Sequence, residues 1–328
     1  MNGGPSVSPD PDGVSLSGLR IAVLLPCYNE AGAIVQTIHD FRAALPEASI
    51  YVYDNNSSDS SRDIAAQAGA LVRQVRQQGK GHVVRRMFAD VDADIYVMAD
   101  GDATYEAAAA PDMIATMLAE NFDMVVGARK SEAEAAYRRG HRTGNRMLTG
   151  LLQSLFGRSF TDILSGYRVF SRRFVKSFPV LSSGFEIETE ISVHALELAM
   201  PVAERETAYA ARPVGSQSKL STYRDGWRIL RTLLTLYRIE RPIGFYGLVG
   251  GLFAAIAVGL AIPLLLTYLE TGLVPRFPTA ILATGMMIVG VLSCMTGLIL
   301  DTVVRGRREV KRLAYLAHNA PADLLIRR

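Results

Sequence analysis

The sequence predicts an α/β domain with a mainly parallel sheet, followed by an amphipathic helix and a C-terminal hairpin of two transmembrane helices. Short apolar runs alternate with helical patterns from Arg20 to Arg129, which is typical of βαβ units. Near the other end, the segments 243–269 and 280–300 are apolar and carry no charge. Each is longer than the roughly 20 residues that a helix needs to cross a bilayer.

The predicted strands are apolar almost throughout. They are the runs 21–26, 50–54, 70–75, 95–100 and 124–128, with a later strand expected near 203–210. Such strands suit a sheet that helices cover on both faces. Ligands of these sheets bind beyond the carboxyl ends of the strands. The polar residues that directly follow each run are therefore the first candidates for a site.

Composition restricts the class of protein and its compartment. A net charge of +3 over 328 residues excludes a nucleic-acid binder on bulk charge. The two cysteines, Cys27 and Cys294, lie in apolar runs and do not indicate a disulfide framework. Residues 1–18 are rich in Gly, Pro, Ser and Asp, which predicts a disordered tail without the features of a signal peptide. The N-terminal domain is therefore expected in the cytoplasm.

The chain divides into a catalytic domain (19–222), a juxtamembrane helix (223–241), two transmembrane helices within 242–301 and a basic cytoplasmic tail (302–328). Basic residues are concentrated on both flanks of the hairpin, whereas its short loop carries only Arg276. By the positive-inside rule, both flanks face the cytoplasm. The sequence therefore predicts a two-span protein of the cytoplasmic (inner) membrane, with both termini inside.

The segment 223–241 has a basic and an apolar face. Arg224, Arg228 and Arg231 recur at helical spacing, and Trp227 lies on the opposite, apolar side. This pattern is typical of a helix in the membrane interface, with its basic side toward lipid phosphates. An ordinary solvated amphipathic helix is the alternative, and the adjacent span favours the interfacial position.

Polar residues follow the first two predicted strands. Asn29 and Glu30 come after the first, where Asn29 could simply cap a helix. Asp54 and Asn55 begin DNNSSD after the second, where Asp54 could accept a uracil N–H or bind a ribose. Turn chemistry alone would also explain these residue types. Taken singly, each motif leaves both interpretations open.

The sequence Asp100-Gly101-Asp102 follows the fourth predicted strand, and Gln78-Gly79-Lys80-Gly81 opens a helix. Two carboxylates separated by a glycine suit Mg²⁺ or Mn²⁺ shared with a diphosphate. Exposed N–H groups and Lys80 at a helix start could hold phosphate. Neither a P-loop nor GxGxxG is present, which argues against a nucleotide hydrolase and a dinucleotide dehydrogenase.

Eight motifs occur in a recognisable order: PCYNE, DNNSSD, GKG, DGD, GAR, SGYR, GFEIETEI and GSQSKL. Together they resemble the inverting glycosyltransferase family 2, in the polyprenyl-phosphate branch that includes dolichyl-phosphate mannose synthase. The resemblance covers residue 20 to about residue 240 by motif, and the hairpin matches bacterial members in architecture only. It implies a GT-A fold and transfer of a sugar from a nucleotide-sugar to a polyprenyl phosphate.

The resemblance also assigns roles to single residues. The donor-binding residues would be Pro26, Tyr28, Asn29, Glu30, Asp54, Asn55, Lys80 and Asp100. The catalytic group would comprise Asp102, Arg129, Asp162, Arg168 and Glu190, with Asp100 and Asp102 at the metal and the two arginines on phosphates. The acceptor phosphate would bind Arg212, Ser218 and Lys219. Thr104 stands where a metal-binding Gln can occur, and Glu186 and Glu188 add charge, which weakens a transfer of GDP-mannose as the donor.

The implied chemistry needs no dedicated base. A phosphate monoester has a second pKa of about 6, so a polyprenyl phosphate is already an anionic nucleophile at neutral pH. In-line attack would invert the anomeric carbon, and Asp162 would position groups or tune charge. A UDP-sugar is the preferred donor, the sugar stays open, and a homo-oligomer is compatible with the resemblance. The alternatives are another lipid acceptor such as diacylglycerol, which would need a base, and an inactive membrane scaffold.

Overall fold

The computed structural model describes residues 16–130, 161–184, 186–210 and 237–326, with the isolated residues 150, 231, 234 and 235. Two compact units make up the chain. The first comprises Met1–Gly226 together with Lys311–Arg328, and the second comprises Trp227–Val310. The residues after 310 thus belong to the same unit as the α/β domain, whereas the sequence predicted one separate tail from 302 onward.

The first unit alternates strands and helices as predicted. Its strands are β1 (Ile21–Cys27), β2 (Ser49–Asp54), β3 (Leu71–Gln74), β4 (Ile95–Met98), β5 (Met124–Lys130), β6 (Arg168–Ser171) and β7 (Val202–Ala208). Its helices before residue 210 are α1 (Ile34–Ala44), α2 (Ser61–Gln67), α3 (Lys80–Asp90), α4 (Ala110–Ala119), α5 (Arg172–Ser177) and α6 (Ile187–Glu197).

The seven strands form one mixed sheet in the order β3-β2-β1-β4-β6-β5-β7. Strands β1, β2, β3 and β4 are mutually parallel, and β5 pairs with β7 in parallel. Strand β6 is antiparallel to both of its neighbours, β4 and β5. The predicted mainly parallel α/β sheet is confirmed, and the carboxyl ends of β1, β2 and β4 meet at one edge.

Apolar side chains cover both faces of this sheet. On one face, Val23 and Val97 pack with Ile34 and Ile38 of α1 and with Met113 of α4. On the other face, the Phe88 ring of α3 makes edge contacts with Tyr96, Phe170 and Phe178. Burial on both faces explains why the strands read as continuous apolar runs rather than as alternating ones.

The C-terminal residues 311–326 pack at the edge of the sheet opposite the carboxyl ends of β1, β2 and β4. Lys311 forms an ion pair with the buried Glu197 at 2.6 Å. Tyr315 donates its hydroxyl hydrogen to Asp123 Oδ2 at 2.8 Å, just before β5, and stacks under the guanidinium of Arg173. These residues, which the sequence predicts as part of a basic cytoplasmic tail, therefore belong to the fold of the α/β unit.

The second unit contains two long apolar helices. Helix α7 spans Pro242–Thr271, and helix α8, which begins in this unit, spans Phe277–Leu316. Both are long and apolar enough to cross a membrane, with mean hydropathies of 2.4 and 2.1. They approach closely at Gly250, where a Cβ would lie 2.7 Å from the Gly290 carbonyl oxygen. Glu240, which precedes α7, forms an ion pair with Arg308 of α8 at 3.3 Å.

Candidate active site

The candidate site lies at the carboxyl-terminal edge of β1, β2 and β4. Residues 28–31 follow β1, residues 55–60 follow β2, and residues 99–105 follow β4. Lys80, the first residue of α3, comes after β3. Parallel strands bring these loops to the same edge, which is where the sequence placed the site.

Hydrogen bonds lock the loop after β1 to the loop after β2. The Asn29 N–H donates to Ser57 Oγ at 2.9 Å, and Asn29 Oδ1 accepts from the Ser58 N–H at 2.8 Å. The Glu30 N–H donates to Ser61 Oγ at 2.8 Å. Helix α1 begins only at Ile34, after Ala33, so Asn29 is not its cap. The Asn29 side chain instead links the two loops, and its own backbone has φ 54°, in the left-handed region.

Asn55 joins the end of β2 to the loop that carries Lys80. Its Nδ2 donates to the Gln77 carbonyl at 2.7 Å, and its Oδ1 accepts from the Gly79 N–H at 2.7 Å. Gly79 has φ 130°, a backbone conformation that favours glycine. Asn55, like Asn29, therefore positions backbone that faces the site.

Asp54 is buried, with 1% of its surface exposed. Its Oδ2 accepts from the Ser57 N–H at 3.1 Å. Its Oδ1 has no hydrogen-bond partner within the described part of the chain. Buried polar atoms are nearly always satisfied, so this oxygen is the natural place for a donor from a ligand.

Two further predicted donor residues, Pro26 and Tyr28, lie beside these loops. The Pro26 carbonyl accepts from the Gly101 N–H at 3.3 Å, and the Tyr28 hydroxyl accepts from Gln78 Nε2 at 3.3 Å. A Cβ on Gly101 would lie 3.2 Å from Pro26 O and 3.1 Å from Ile34 Cδ1. Glycine thus lets the DGD loop pass directly against the loop after β1.

The two carboxylates of the DGD triplet differ in environment. Asp102 is 3% exposed, and its Oδ1 accepts from the Thr104 hydroxyl at 2.6 Å. The Asp100 side chain is 31% exposed and forms an ion pair with Lys80 at 2.5 Å. Asp100 therefore presents charge to the open side of the edge, while Asp102 is held from within by Thr104.

Lys80 connects Asp100 to a third carboxylate, Glu188 of α6. The Lys80 Nζ lies 2.6 Å from Glu188 Oε1, and the Lys80 side chain is 9% exposed. Burial alone would lower the pKa of Lys80, but Asp100 and Glu188 outweigh it and hold that pKa above its ordinary value. Lys80 is therefore a permanent cation at the start of α3.

Arg129, at the end of β5, pairs with Asp162. Its Nε and one terminal nitrogen donate to the two carboxylate oxygens at 2.7 and 2.8 Å, a bidentate geometry. Burial would raise the pKa of Asp162, but the hydrogen bonds and charge of Arg129 outweigh it and hold the pKa below its ordinary value. Asp162 is therefore ionised at neutral pH and orients the Arg129 guanidinium.

Arg168 differs from its expected role as a phosphate clamp. It is 0% exposed and donates to the carbonyls of Ser165, Ile163 and Glu188 and to Ser192 Oγ, at 2.5–3.2 Å. Burial lowers the pKa of Arg168 to about 10, so it stays charged at neutral pH. These acceptors use the guanidinium inside the fold, where it joins β6 to α6 instead of reaching a ligand.

Glu190 also binds backbone groups of the protein. Its two carboxylate oxygens accept from the N–H groups of Leu181 and Ser182, each at 2.8 Å. Arg85 binds the same loop from α3, through the Val180 carbonyl at 2.9 Å. Val180 has φ 45°, a strained conformation for a β-branched residue. Glu190 thus fixes the loop 180–184 beside Lys80.

Several predicted residues lie outside the described part of the chain. They are Arg212, Ser218 and Lys219 of the acceptor site and Arg224 and Arg228 of the juxtamembrane helix. Arg231 is described and is exposed in a helix. The acceptor and docking assignments therefore stay predictions.

Sequence reasoning missed Glu188 and Tyr105 as parts of the site. Glu188 was noted only as excess charge, and its contact with Lys80 gives no local signal. The Tyr105 hydroxyl accepts from the Gly166 N–H at 3.0 Å, and its ring packs on Tyr167 and Tyr209. Burial raises the pKa of Tyr105 above its ordinary value. For Tyr105, the signal in the sequence is an aromatic residue three positions after Asp102.

Comparison with known proteins agrees with this fold. Residues 22–178 match the family described as glycosyl transferase family 2. The chain is 34% identical to glycosyltransferase AglJ of Haloferax volcanii over 90% of this chain and 98% of that protein. It is 24% identical to a dolichyl-phosphate hexose transferase of the same organism, over 67% of this chain and 95% of the relative.

The fold is also similar to a solved structure. Glucosyl-3-phosphoglycerate synthase of Mycobacterium tuberculosis, solved with Mn²⁺, UDP and glucosyl-3-phosphoglycerate, superposes with a TM-score of 0.55 at 22% identity, covering 67% of this chain and 79% of that one. At this identity the likeness concerns the fold alone. The sequence match to AglJ extends over nearly the whole of both chains, and the chain therefore belongs to glycosyl transferase family 2.

Proposed function

We propose that this glycosyltransferase moves a sugar from a nucleotide-sugar, preferably a UDP-sugar, onto the phosphate of a membrane polyprenyl phosphate, with inversion. The products are a polyprenyl-phosphate-linked monosaccharide and a nucleoside diphosphate. The observation that carries the proposal is the combination in one chain of the Asp100–Asp102–Lys80 edge with two apolar helices fit to cross a bilayer.

The nucleoside of the donor would lie between the loops after β1 and β2. The orphan Oδ1 of the buried Asp54 suits an N–H donor such as the imide of uracil. Tyr28 lies at the same edge, bonded to Gln78. The similar phosphoglycerate enzyme was solved with UDP, which supports a uridine nucleotide here.

A divalent cation fits the DGD loop. Hard carboxylate oxygens suit Mg²⁺ or Mn²⁺, and Mg²⁺ is commonly held by one or two carboxylates plus substrate phosphates. Asp100 and Asp102 supply two such groups, and the described residues contain no cluster of three or more His, Cys, Asp or Glu that would form a closed protein cage. The cation would offset the charge that develops on the leaving diphosphate. The similar enzyme was solved with Mn²⁺ and with Mg²⁺.

The chain's own cations would reduce the repulsion between the acceptor phosphate and the donor diphosphate. Lys80 lies beside Asp100 at the start of α3, and Arg129 is held in a fixed orientation by Asp162. Arg212, Ser218 and Lys219 keep the acceptor-phosphate role that the family resemblance implies. Preorganised positive groups of this kind stabilise transition-state charge without reorganising.

The state of Asp162 favours a phosphate acceptor over a hydroxyl acceptor. An alcohol such as diacylglycerol needs a general base, and a good base has a pKa near the working pH. Arg129 holds the pKa of Asp162 below its ordinary value, which makes Asp162 a weak base. A polyprenyl phosphate is already anionic and needs no proton removed.

The hairpin would hold the catalytic unit at the cytoplasmic membrane face. The residues before 227 and after 310 belong to one compact unit, and two spans return a chain to the side from which it started. The basic residues on both flanks place that side in the cytoplasm by the positive-inside rule. Arg224, Arg228 and Arg231 would dock the unit on anionic lipid, close to the acceptor phosphate.

The test is turnover of purified full-length protein with polyprenyl phosphate, Mn²⁺ or Mg²⁺ and a panel of UDP- and GDP-sugars, read by glycolipid mass. We expect prenyl phosphate plus one sugar. This product should be lost in Asp102→Asn and kept in the control Asp40→Asn, whose carboxylate accepts a hydrogen bond from Gln36 on the surface of α1. Product on diacylglycerol instead would contradict the phosphate acceptor. If the protein binds no nucleotide in the presence of metal, the enzyme hypothesis is contradicted and the inactive membrane scaffold remains.

A further inference from the structure

Glu188 is a buried carboxylate to which the proposed reaction gives no role. Its side chain is 7% exposed and contacts Lys80 at 2.6 Å. Its backbone carbonyl accepts from Arg168 at 3.2 Å and from the Ser192 hydroxyl at 3.0 Å. Glu188 is therefore held in place by its backbone, independently of the Lys80 contact.

Lys80 lies between two carboxylates of unequal exposure. Glu188 contacts it from the interior, and Asp100, which is 31% exposed, contacts it from the open side. One cation shared by two anions leaves the group with a net charge of −1. The attraction of Lys80 is therefore divided, and Asp100 keeps part of its negative charge uncompensated.

We infer that Glu188 is a positioning residue that holds Lys80 from the interior, so that Asp100 stays able to accept a divalent cation. The inference rests on the proposed nucleotide-sugar reaction and deepens it. Without the Glu188 carboxylate, Lys80 pairs with Asp100 alone, and a close ion pair competes with any cation for the same oxygens. Glu188 thus keeps one lysine close to the diphosphate site without blocking Asp100.

The test is a double-mutant cycle on Mn²⁺ affinity in the presence of saturating UDP, read by the loss of the free Mn²⁺ signal in electron paramagnetic resonance. We expect Glu188→Gln to weaken Mn²⁺ binding about tenfold, within the range of coupling between contacting charges. In a Lys80→Met background, the same substitution should change the affinity less than about twofold. The cycle subtracts the direct long-range effect of removing one negative charge, because that effect persists without Lys80.

Each outcome decides a separate point. Equal effects of Glu188→Gln in both backgrounds would show a merely structural role and overturn the inference. Wild-type protein that binds no UDP with Mn²⁺ would overturn the proposed function, whereas normal binding by Glu188→Gln would overturn the inference alone. If Glu188→Gln does not fold, Glu188→Asp decides. It keeps the negative charge but shortens the side chain that contacts Lys80, so it should also weaken Mn²⁺ binding, and unchanged affinity refutes the inference.

Discussion

Gly166 leaves room for the ion pair between Asp100 and Lys80, and Gly166→Ala should disturb this ion pair with little effect on the fold. A Cβ at this position would lie 2.7 Å from Asp100 Oδ2 and 3.2 Å from Lys80 Nζ. To regain ordinary van der Waals contact, the Asp100 oxygen must retreat by roughly 0.7 Å. The atom that moves is the end of a flexible side chain, so we expect unfolding to become easier by less than about 1 kcal/mol.

The same displacement should be costly for function. Misplacement of a catalytic group by about 1 Å can lower a rate about 100-fold, so we expect kcat/KM to fall about 10- to 100-fold. The assays are glycolipid formation, Mn²⁺-dependent UDP binding by calorimetry, and thermal unfolding. Gly32→Ala is the matched control, because it lies in the loop before α1 and a Cβ there has nothing within 4 Å.

Two results would refute this reasoning. Gly166→Ala with wild-type turnover and UDP binding would show that the Asp100 position is not critical. A large fall in Tm together with the loss of activity would show that the substitution disrupts the fold and not the site. The prediction therefore requires a reduced kcat/KM together with a Tm that is nearly unchanged.

Three further predictions concern stability. Gly81→Ala should destabilise the protein by about 1–3 kcal/mol, because the new Cβ would clash with the Ser182 carbonyl, and Arg85 and Glu190 hold the loop of Ser182 in place. Thermal unfolding measures this loss against Gly32→Ala, and an unchanged Tm would contradict the predicted clash. Arg168→Lys should lower Tm with little change in the KM for the acceptor, because the guanidinium donates to interior carbonyls. A rise in this KM without a fall in Tm would instead support the role of Arg168 as a phosphate clamp. Burial lowers the pKa of His194 to about 3. Its contribution to the free energy of unfolding is therefore complete above the unfolded-state pKa near 6.5 and is lost as the pH falls toward 3, by up to about 1.4 kcal/mol per pH unit. The free energies of unfolding at pH 7.5 and pH 5 should differ less in His194→Gln than in the wild type, and equal differences would contradict the prediction.

Much of the fold and the position of the candidate site could be predicted from local patterns. Apolar runs such as 21–26 and 95–100 predicted strands because the sheet is covered on both faces. Asp54 and Asp100 were placed correctly at one edge, because parallel strands bring their carboxyl ends together. The apolar length of the two C-terminal segments predicted the hairpin directly, since a helix rises by a fixed amount per residue.

The roles of individual side chains could not be predicted in the same way. Asn29 and Asn55 looked like ligand contacts, and their amides instead hold loops together. Arg168 has the residue type of a phosphate clamp, and only its 0% exposure places it in the interior. A motif gives residue type and spacing, whereas the direction of a side chain depends on which distant backbone groups need a partner.

The sequence by itself determined the α/β class, the edge at which the candidate residues meet and the apolar hairpin, because these follow from periodicity, composition and length along the chain. The tertiary structure decided that Glu188 shares Lys80 with Asp100, and that Lys311 and Tyr315 pack on the α/β unit. Each of these contacts joins residues far apart in sequence. Their pairing follows from the need to satisfy buried charges and hydrogen bonds once the core has formed, and no local pattern records that need.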